Sequence, residues 1–131
     1  MKILIVDDDV IYLELMKRHF DRYDLDICIE NNPFHALYRF NKEKFDVVIS
    51  DVMMPGMTGI ELLERIKILD PELPVILHTC SSNIELRAKA EKHGVYEYYY
   101  KPAHVQIIND IEELSGIEER NRVQTTAYAV V

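Results

Sequence analysis

The chain is poor in the features that mark several large protein classes. It carries only two cysteines, Cys28 and Cys80, in 131 residues. Two thiols beside apolar runs supply no disulfide framework and no zinc-ligand spacing; they fit reduced, half-buried side chains. The longest unbroken apolar runs are strand-sized, too short to span a bilayer as a helix. The opening Met1-Lys2-Ile3-Leu4-Ile5-Val6 meets acidic residues too soon for a signal peptide, and reads as the start of a cytoplasmic protein. Basic residues are few, 15 against 23 acidic ones, for a net charge of −8. Direct nucleic-acid binding by this domain, which usually needs a basic face, is disfavoured. No glycine-rich phosphate loop occurs, which counts against an ATPase or GTPase. No sequence repeat or low-complexity segment is visible.

What is present fits one globular domain. Apolar residues make up 48% of the chain and charged residues 29%, enough for a core and unlike a disordered chain. Short apolar runs alternate with longer amphipathic ones. Lys2–Val6, Phe45–Ser50 and Pro74–Thr79 are nearly continuous apolar, as expected of parallel strands covered on both faces. Leu25–Glu30 and Tyr96–Tyr100 are weaker strand candidates. In the latter, Tyr99 faces opposite to Tyr98 and Tyr100. Between the runs, apolar spacing predicts helices over Val10–Tyr23, Pro33–Asn41, Gly59–Leu69, Asn83–His93 and Ala103–Leu114. Their ends carry helix signals. Asp9 is an N-cap for the first. Asn32 and Pro33 suit the cap and first position of the second. Thr58 with Glu61 suits the start of the third, and Gly94 and Gly116 suit C-terminal stops. Gly56 and Gly59 suit a tight turn before the third helix. Strand–helix repeated five times argues for an open parallel sheet with helices on both faces.

In such sheets ligands sit beyond the carboxyl ends of the strands. The first strand candidate runs into Asp7-Asp8-Asp9, the third into Asp51, the fourth into Thr79 and the fifth into Lys101-Pro102. Three carboxylates in one crevice repel unless a cation intervenes, and a hard ion with oxygen ligands such as Mg²⁺ is the natural partner. Lys101 and Thr79 are suitable for the remaining oxygens of a phosphoryl group. Asp51 is then the nucleophile, since carboxylates form aspartyl-phosphate.

Four blocks with matching order and spacing carry a family resemblance. They are Ile5-Val6-Asp7-Asp8, Ile49 through Gly59, Leu77-His78-Thr79 and Tyr98-Tyr99-Tyr100-Lys101-Pro102. The sequence resembles a receiver domain of two-component response regulators over residues 1–116. The resemblance implies a flavodoxin-like, doubly wound (βα)5 three-layer sandwich with a five-stranded parallel sheet of order 2-1-3-4-5. It implies that Asp51 is the phosphoacceptor for a histidine kinase or phosphotransfer protein. Asp8 and Asp51 ligate Mg²⁺ directly, Asp7 mainly through water, and the Met53 backbone carbonyl adds a ligand. Lys101 pairs with the acceptor carboxylate and then the phosphate, and Thr79 swings to bond it. Tyr98 is the aromatic switch that turns inward behind Thr79. Lys101-Pro102 is a cis peptide that fixes the lysine's approach. Phosphorylation then favours an active arrangement of the face built by the fourth helix, fifth strand and fifth helix, which an output domain, a partner or a second copy reads.

The chain departs from the family pattern at three places. Cys80 stands where a smaller residue is usual, Ala103 where an aromatic is usual, and His78 where an apolar residue is usual. Cys80 reads as a small buried filler, His78 as a core or rim residue, and Met53, Met54 and Met57 as packing for the loop and helix. Met53 and Ser81 flank the expected attack path and should influence phosphate lifetime. Residues 117–131 suit a helix extension, a linker or a tail. Two other readings compete. A pseudo-receiver would bind partners without phosphorylation, against which the full acid set and Lys101 argue. A small Mg²⁺-dependent phosphatase would share the paired-acid start of haloacid-dehalogenase enzymes, but Val10 and Ile11 stand where that family needs a threonine. The domain is therefore expected to be no enzyme toward a separate metabolite, although it assists its own phosphorylation and hydrolysis.

Overall fold

The computed structural model describes residues 1–116; the predicted extension, linker or tail over 117–131 lies outside the described residues. Ten elements alternate without exception. They are β1 (Lys2–Val6), α1 (Val10–Phe20), β2 (Asp26–Glu30), α2 (Pro33–Lys42), β3 (Val47–Asp51), α3 (Gly59–Leu69), β4 (Val75–Thr79), α4 (Ile84–Lys92), β5 (Glu97–Tyr100) and α5 (His104–Ser115). All strand pairs are parallel, in the order β2-β1-β3-β4-β5. This is the flavodoxin-like arrangement expected from the sequence.

Strand alternation divides the core into two layers. Leu4, Val6, Val48, Val75 and Leu77 face α2, α3 and α4, where Ala36, Leu62, Leu63, Ile66 and Ala90 pack. Ile3, Ile5, Val47, Ile49 and Ile76 face α1 and α5, meeting Leu13, Met16, Phe20, Ile107 and Ile111. β3 and β4 are buried along their whole length, whereas edge strands β2 and β5 are only partly covered. That contrast explains why the edge strands read weakly in the sequence. Tyr98 and Tyr99 point to opposite layers, and Tyr98 and Tyr100 share a side.

The caps follow the sequence signals. Asp9 accepts from the Tyr12 amide at 3.1 Å. Asn32 accepts from the amides of Phe34 and His35. Thr58 accepts from Glu61 at 3.1 Å. Gly94 and Gly116 adopt positive φ beyond their helices. Other details differ. α1 stops at Phe20, because the Tyr23 amide turns back to the Phe20 carbonyl. Only Leu13, Met16 and Phe20 form its buried stripe; Ile11 and Leu15 lie outside it, exposed. Val105 is likewise exposed on α5, whose buried residues are Ile107, Ile108 and Ile111.

Candidate functional site

Parallel topology places the carboxyl ends of β1, β3, β4 and β5 on one edge. Asp51 lies opposite His78, and Thr79 opposite Tyr100. Asp7 follows β1 directly, and its amide donates to the Glu30 carbonyl at 3.1 Å. The Asp51 main chain is braced by α3. The Gly59 amide donates to the Val52 carbonyl at 2.8 Å. A Cβ on Gly59 would sit 2.1 Å from the Asp51 carbonyl oxygen, so this position admits no side chain without movement. Gly59 thus serves close approach, whereas Gly56 (φ +83°) serves the turn.

The three predicted carboxylates converge. One oxygen from each of Asp7, Asp8 and Asp51 lies within 4.8 Å of the others. Asp7 is fully buried, Asp51 nearly so, and Asp8 exposed. Lys101 enters from the end of β5, after a cis Lys101-Pro102 peptide. Its Nζ is 2.7 Å from Asp7 Oδ2 and 3.6 Å from Asp51 Oδ2. The lysine therefore bonds Asp7 and only approaches Asp51. Burial pushes the Asp51 carboxyl up to about 6, helped by the neighbouring charge of Asp7. Lys101 and the Met53 amide pull it down less, and Asp8 pushes it up slightly. Burial pulls the Lys101 ammonium down, but the bond to Asp7 and the charges of Asp51 and Asp7 leave it raised overall.

Thr79 is buried, and its Oγ1 accepts from the Ser81 amide at 3.0 Å. Its own hydroxyl proton remains available to an incoming oxygen. Tyr98 is buried with its hydroxyl unpartnered among the described residues. Its ring meets Tyr100 edge-on and lies 5.8 Å from the Arg87 guanidinium. Of the predicted packing methionines, Met54 and Met57 are buried, but the Met53 side chain is exposed at the mouth of the site. Cys80 also departs from expectation. It is exposed, because it follows the last residue of β4 where the chain leaves the sheet, so it fills no core space. Cys28, expected half-buried, is buried in the α2–α4 layer.

Two residues complete a contact that reading the sequence element by element misses. His78 is fully buried; burial and the nearby Lys101 charge lower it to about 3, so the imidazole is neutral. Its Nδ1 lies 3.4 Å from the Tyr12 hydroxyl, and its Nε2 lies 3.6 Å from Asp7 Oδ2. Lys101 Nζ sits 4.3 Å from the Tyr12 ring centroid, a cation–π distance. The available signal was parity. His78 is two residues from Ile76, which places it on the α1 side, and Tyr12 stands in the first turn of α1.

The donor set fits a hard divalent cation. All three donors are carboxylate oxygens, and Asp51 is raised chiefly by burial and then by the charge of Asp7, both of which a bound cation would offset. Among the described residues no helix is long and apolar enough to cross a membrane.

Comparisons with known proteins bear on the family and the fold. The family model described as "Response regulator receiver domain" matches residues 3–112. The chain is 39% identical over 113 residues to the two-component response regulator ORR21 of Oryza sativa subsp. indica, covering 85% of this chain and 16% of that protein. It is 34% identical over 100 residues to the transcriptional regulatory protein ZraR of Escherichia coli (strain K12), covering 76% of this chain and 23% of ZraR. The chain thus spans less than a quarter of either relative's length. Among solved structures, a CheY-like response regulator receiver domain protein from Methanospirillum hungatei JF-1 superposes with a TM-score of 0.82 at 28% identity. That match covers 91% of this chain and 97% of the other. With the family model spanning most of its length and an acid–lysine pocket at the strand ends, the chain belongs to the response-regulator receiver-domain family of two-component systems.

Proposed function

We propose that this domain is a Mg²⁺-dependent phosphoacceptor switch, with Asp51 as the acceptor. The carrying observation is a nearly buried Asp51 carboxylate, 3.6 Å from Lys101, among oxygens of Asp7 and Asp8. Asp7, Asp8 and Asp51 would hold Mg²⁺, with the Met53 backbone carbonyl as a further donor. The ion supplies positive charge that screens the carboxylates from each other and from phosphoryl oxygens. An Asp51 oxygen attacks phosphorus, a P–O bond forms, and the phosphoramidate P–N bond breaks. The electron pair leaves with the donor's histidine nitrogen. Lys101 then turns from the carboxylates to a phosphoryl oxygen, and the Thr79 hydroxyl donates to another.

The phosphoryl group adds about −1.5 to −2 charges at this edge. Movement of Thr79 toward it alters the space beside Tyr98, whose buried hydroxyl has no hydrogen-bond partner among the described residues. The shift in Thr79 and Tyr98 biases the α4–β5–α5 face, which a kinase, phosphotransfer protein, output domain or second copy can read. On this reading the domain acts on no separate metabolite. Lys101 between two acids argues against a partner-binding module that dispenses with phosphorylation.

The test is intact mass after incubation with acetyl phosphate, with and without Mg²⁺. Wild type should gain one phosphoryl group only with Mg²⁺, and Asp51→Asn should gain none. Steady turnover of phosphate esters without a lasting adduct would favour a phosphatase instead. No adduct and no Mg²⁺ binding would favour the phosphorylation-independent module.

A further inference from the structure

The proposed reaction leaves one buried polar group without a task. His78 has no exposed surface, and its Nε2 has no hydrogen-bond partner among the described residues. An orphaned buried polar atom is destabilising, so its surroundings matter. Its surroundings single out one acceptor. The Tyr12 hydroxyl, 3.4 Å from Nδ1, can donate its proton there. That makes Nδ1 an acceptor and places the ring proton on Nε2. Nε2 faces Asp7 Oδ2 at 3.6 Å, just beyond bonding distance.

Asp7 is held at both oxygens. Oδ1 accepts from the Asp9 amide at 2.9 Å, and Oδ2 accepts from Lys101 at 2.7 Å. Lys101 and His78 therefore address the same oxygen. When Lys101 turns toward a phosphoryl group on Asp51, Oδ2 loses its donor. An apolar residue at position 78 would leave that buried oxygen unpaired, with only the Asp9 amide at Oδ1 holding the carboxylate.

We propose that His78 is a positioning residue for Asp7: its Nε2–H takes over Asp7 Oδ2 from Lys101 and keeps the carboxylate oriented for the metal. This rests on the phosphoacceptor reading above. Loss of groups that orient metal ligands commonly weakens metal binding by about 10–100-fold.

The test uses the full chain and two independent readouts. The first is Mg²⁺ affinity by calorimetry with beryllofluoride standing in for the phosphoryl group on Asp51, the state in which Lys101 has left Asp7, for wild type, His78→Leu and His78→Gln. Glutamine carries an amide N–H near the reach of Nε2. Leucine should weaken Mg²⁺ binding by about tenfold, and glutamine should recover most of that loss. The second is the imidazole ¹⁵N spectrum of wild type. It should show the neutral Nε2–H tautomer, with that proton moving downfield when Mg²⁺ and acetyl phosphate are added. Unchanged affinity in the leucine variant, the Nδ1–H tautomer, or an unmoved proton in phosphorylated protein would each overturn the proposal. If the leucine variant does not fold, the tautomer and the glutamine variant decide it. A wild type that binds Mg²⁺ and gains a phosphoryl group, with His78→Leu matching it, overturns the positioning role alone. A wild type that binds no Mg²⁺ overturns both readings.

Discussion

Asp7 and Asp51 stand at the ends of neighbouring strands, both buried, and share one lysine. They are not equivalent. Asp7 is bonded at both oxygens, to Asp9 and to Lys101 at 2.7 Å. Asp51 stands 3.6 Å from the same ammonium and is pushed up to about 6. Asp7 is thus fixed in place, and Asp51 carries the less fully compensated charge. A nucleophile that also binds metal benefits from that arrangement. Its unfavourable interactions are relieved by the cation and the phosphoryl group that the reaction brings.

The largest expected effect separates the two residues chemically. Asp51→Asn should abolish phosphoryl uptake from acetyl phosphate, read by intact mass. Their effects on metal-free stability should have opposite signs. The shift of Asp51 from 3.8 to about 6 corresponds to at most about 3 kcal/mol of unfavourable charge burial at pH 7.5, relieved in Asp51→Asn. Asp7→Asn removes a charged acceptor from Lys101 and should cost about 1.5–3 kcal/mol. Urea unfolding of the three proteins without metal reads both. If both variants shift in the same direction, the contrast is wrong.

Gly59→Ala sharpens the comparison from the backbone side. The added Cβ must displace the Asp51 carbonyl, since it would start 2.1 Å away. A cost of about 1–3 kcal/mol is expected, with slower phosphoryl uptake and Asp7 left untouched. Urea unfolding and the rate of mass gain check this.

pH dependence separates Asp51 from His78. The folded-state value of Asp51 lies above its ordinary 3.8, so the folded protein binds its proton first. Stability from this group rises as pH falls from about 6 toward 4. His78, facing Asp7, Lys101 and Tyr12, is lowered from 6.5 to about 3, so the unfolded chain binds its proton first. Stability from this group is lost as pH falls from about 6.5 toward 3. The two trends oppose each other. Without metal, Asp51→Asn should steepen acid destabilisation and His78→Leu should reduce it, each by up to about 1.4 kcal/mol per pH unit. Urea midpoints between pH 7 and 4 test this. The smallest effect belongs far from the site. Asn32→Ala removes two cap bonds and should cost about 1 kcal/mol with phosphoryl uptake unchanged.

The contrast between these carboxylates also marks what the sequence made legible. That Asp7, Asp8, Asp51, Thr79 and Lys101 meet follows from topology, because parallel strands send every carboxyl end to one edge. Caps at Asp9, Asn32 and Thr58 were legible because their partners lie two or three residues away. Which acid Lys101 bonds was not legible, since Asp7 is 94 residues distant and the choice is set by side-chain reach. The Tyr12–His78 contact spans 66 residues and depends on which layer each side chain enters. Ile11 and Leu15 share helical spacing with the core stripe, and only docking of α1 on the sheet shows which stripe is buried.

The most direct test asks which of the two carboxylates takes the phosphoryl group. After acetyl phosphate treatment with Mg²⁺, borohydride reduction converts an aspartyl-phosphate to homoserine, which peptide mass mapping locates. Homoserine at position 51 alone, absent when Mg²⁺ is omitted, is the predicted result. Homoserine at position 7 or 8, or equal labelling of several acids, would contradict the assignment of Asp51 as the acceptor.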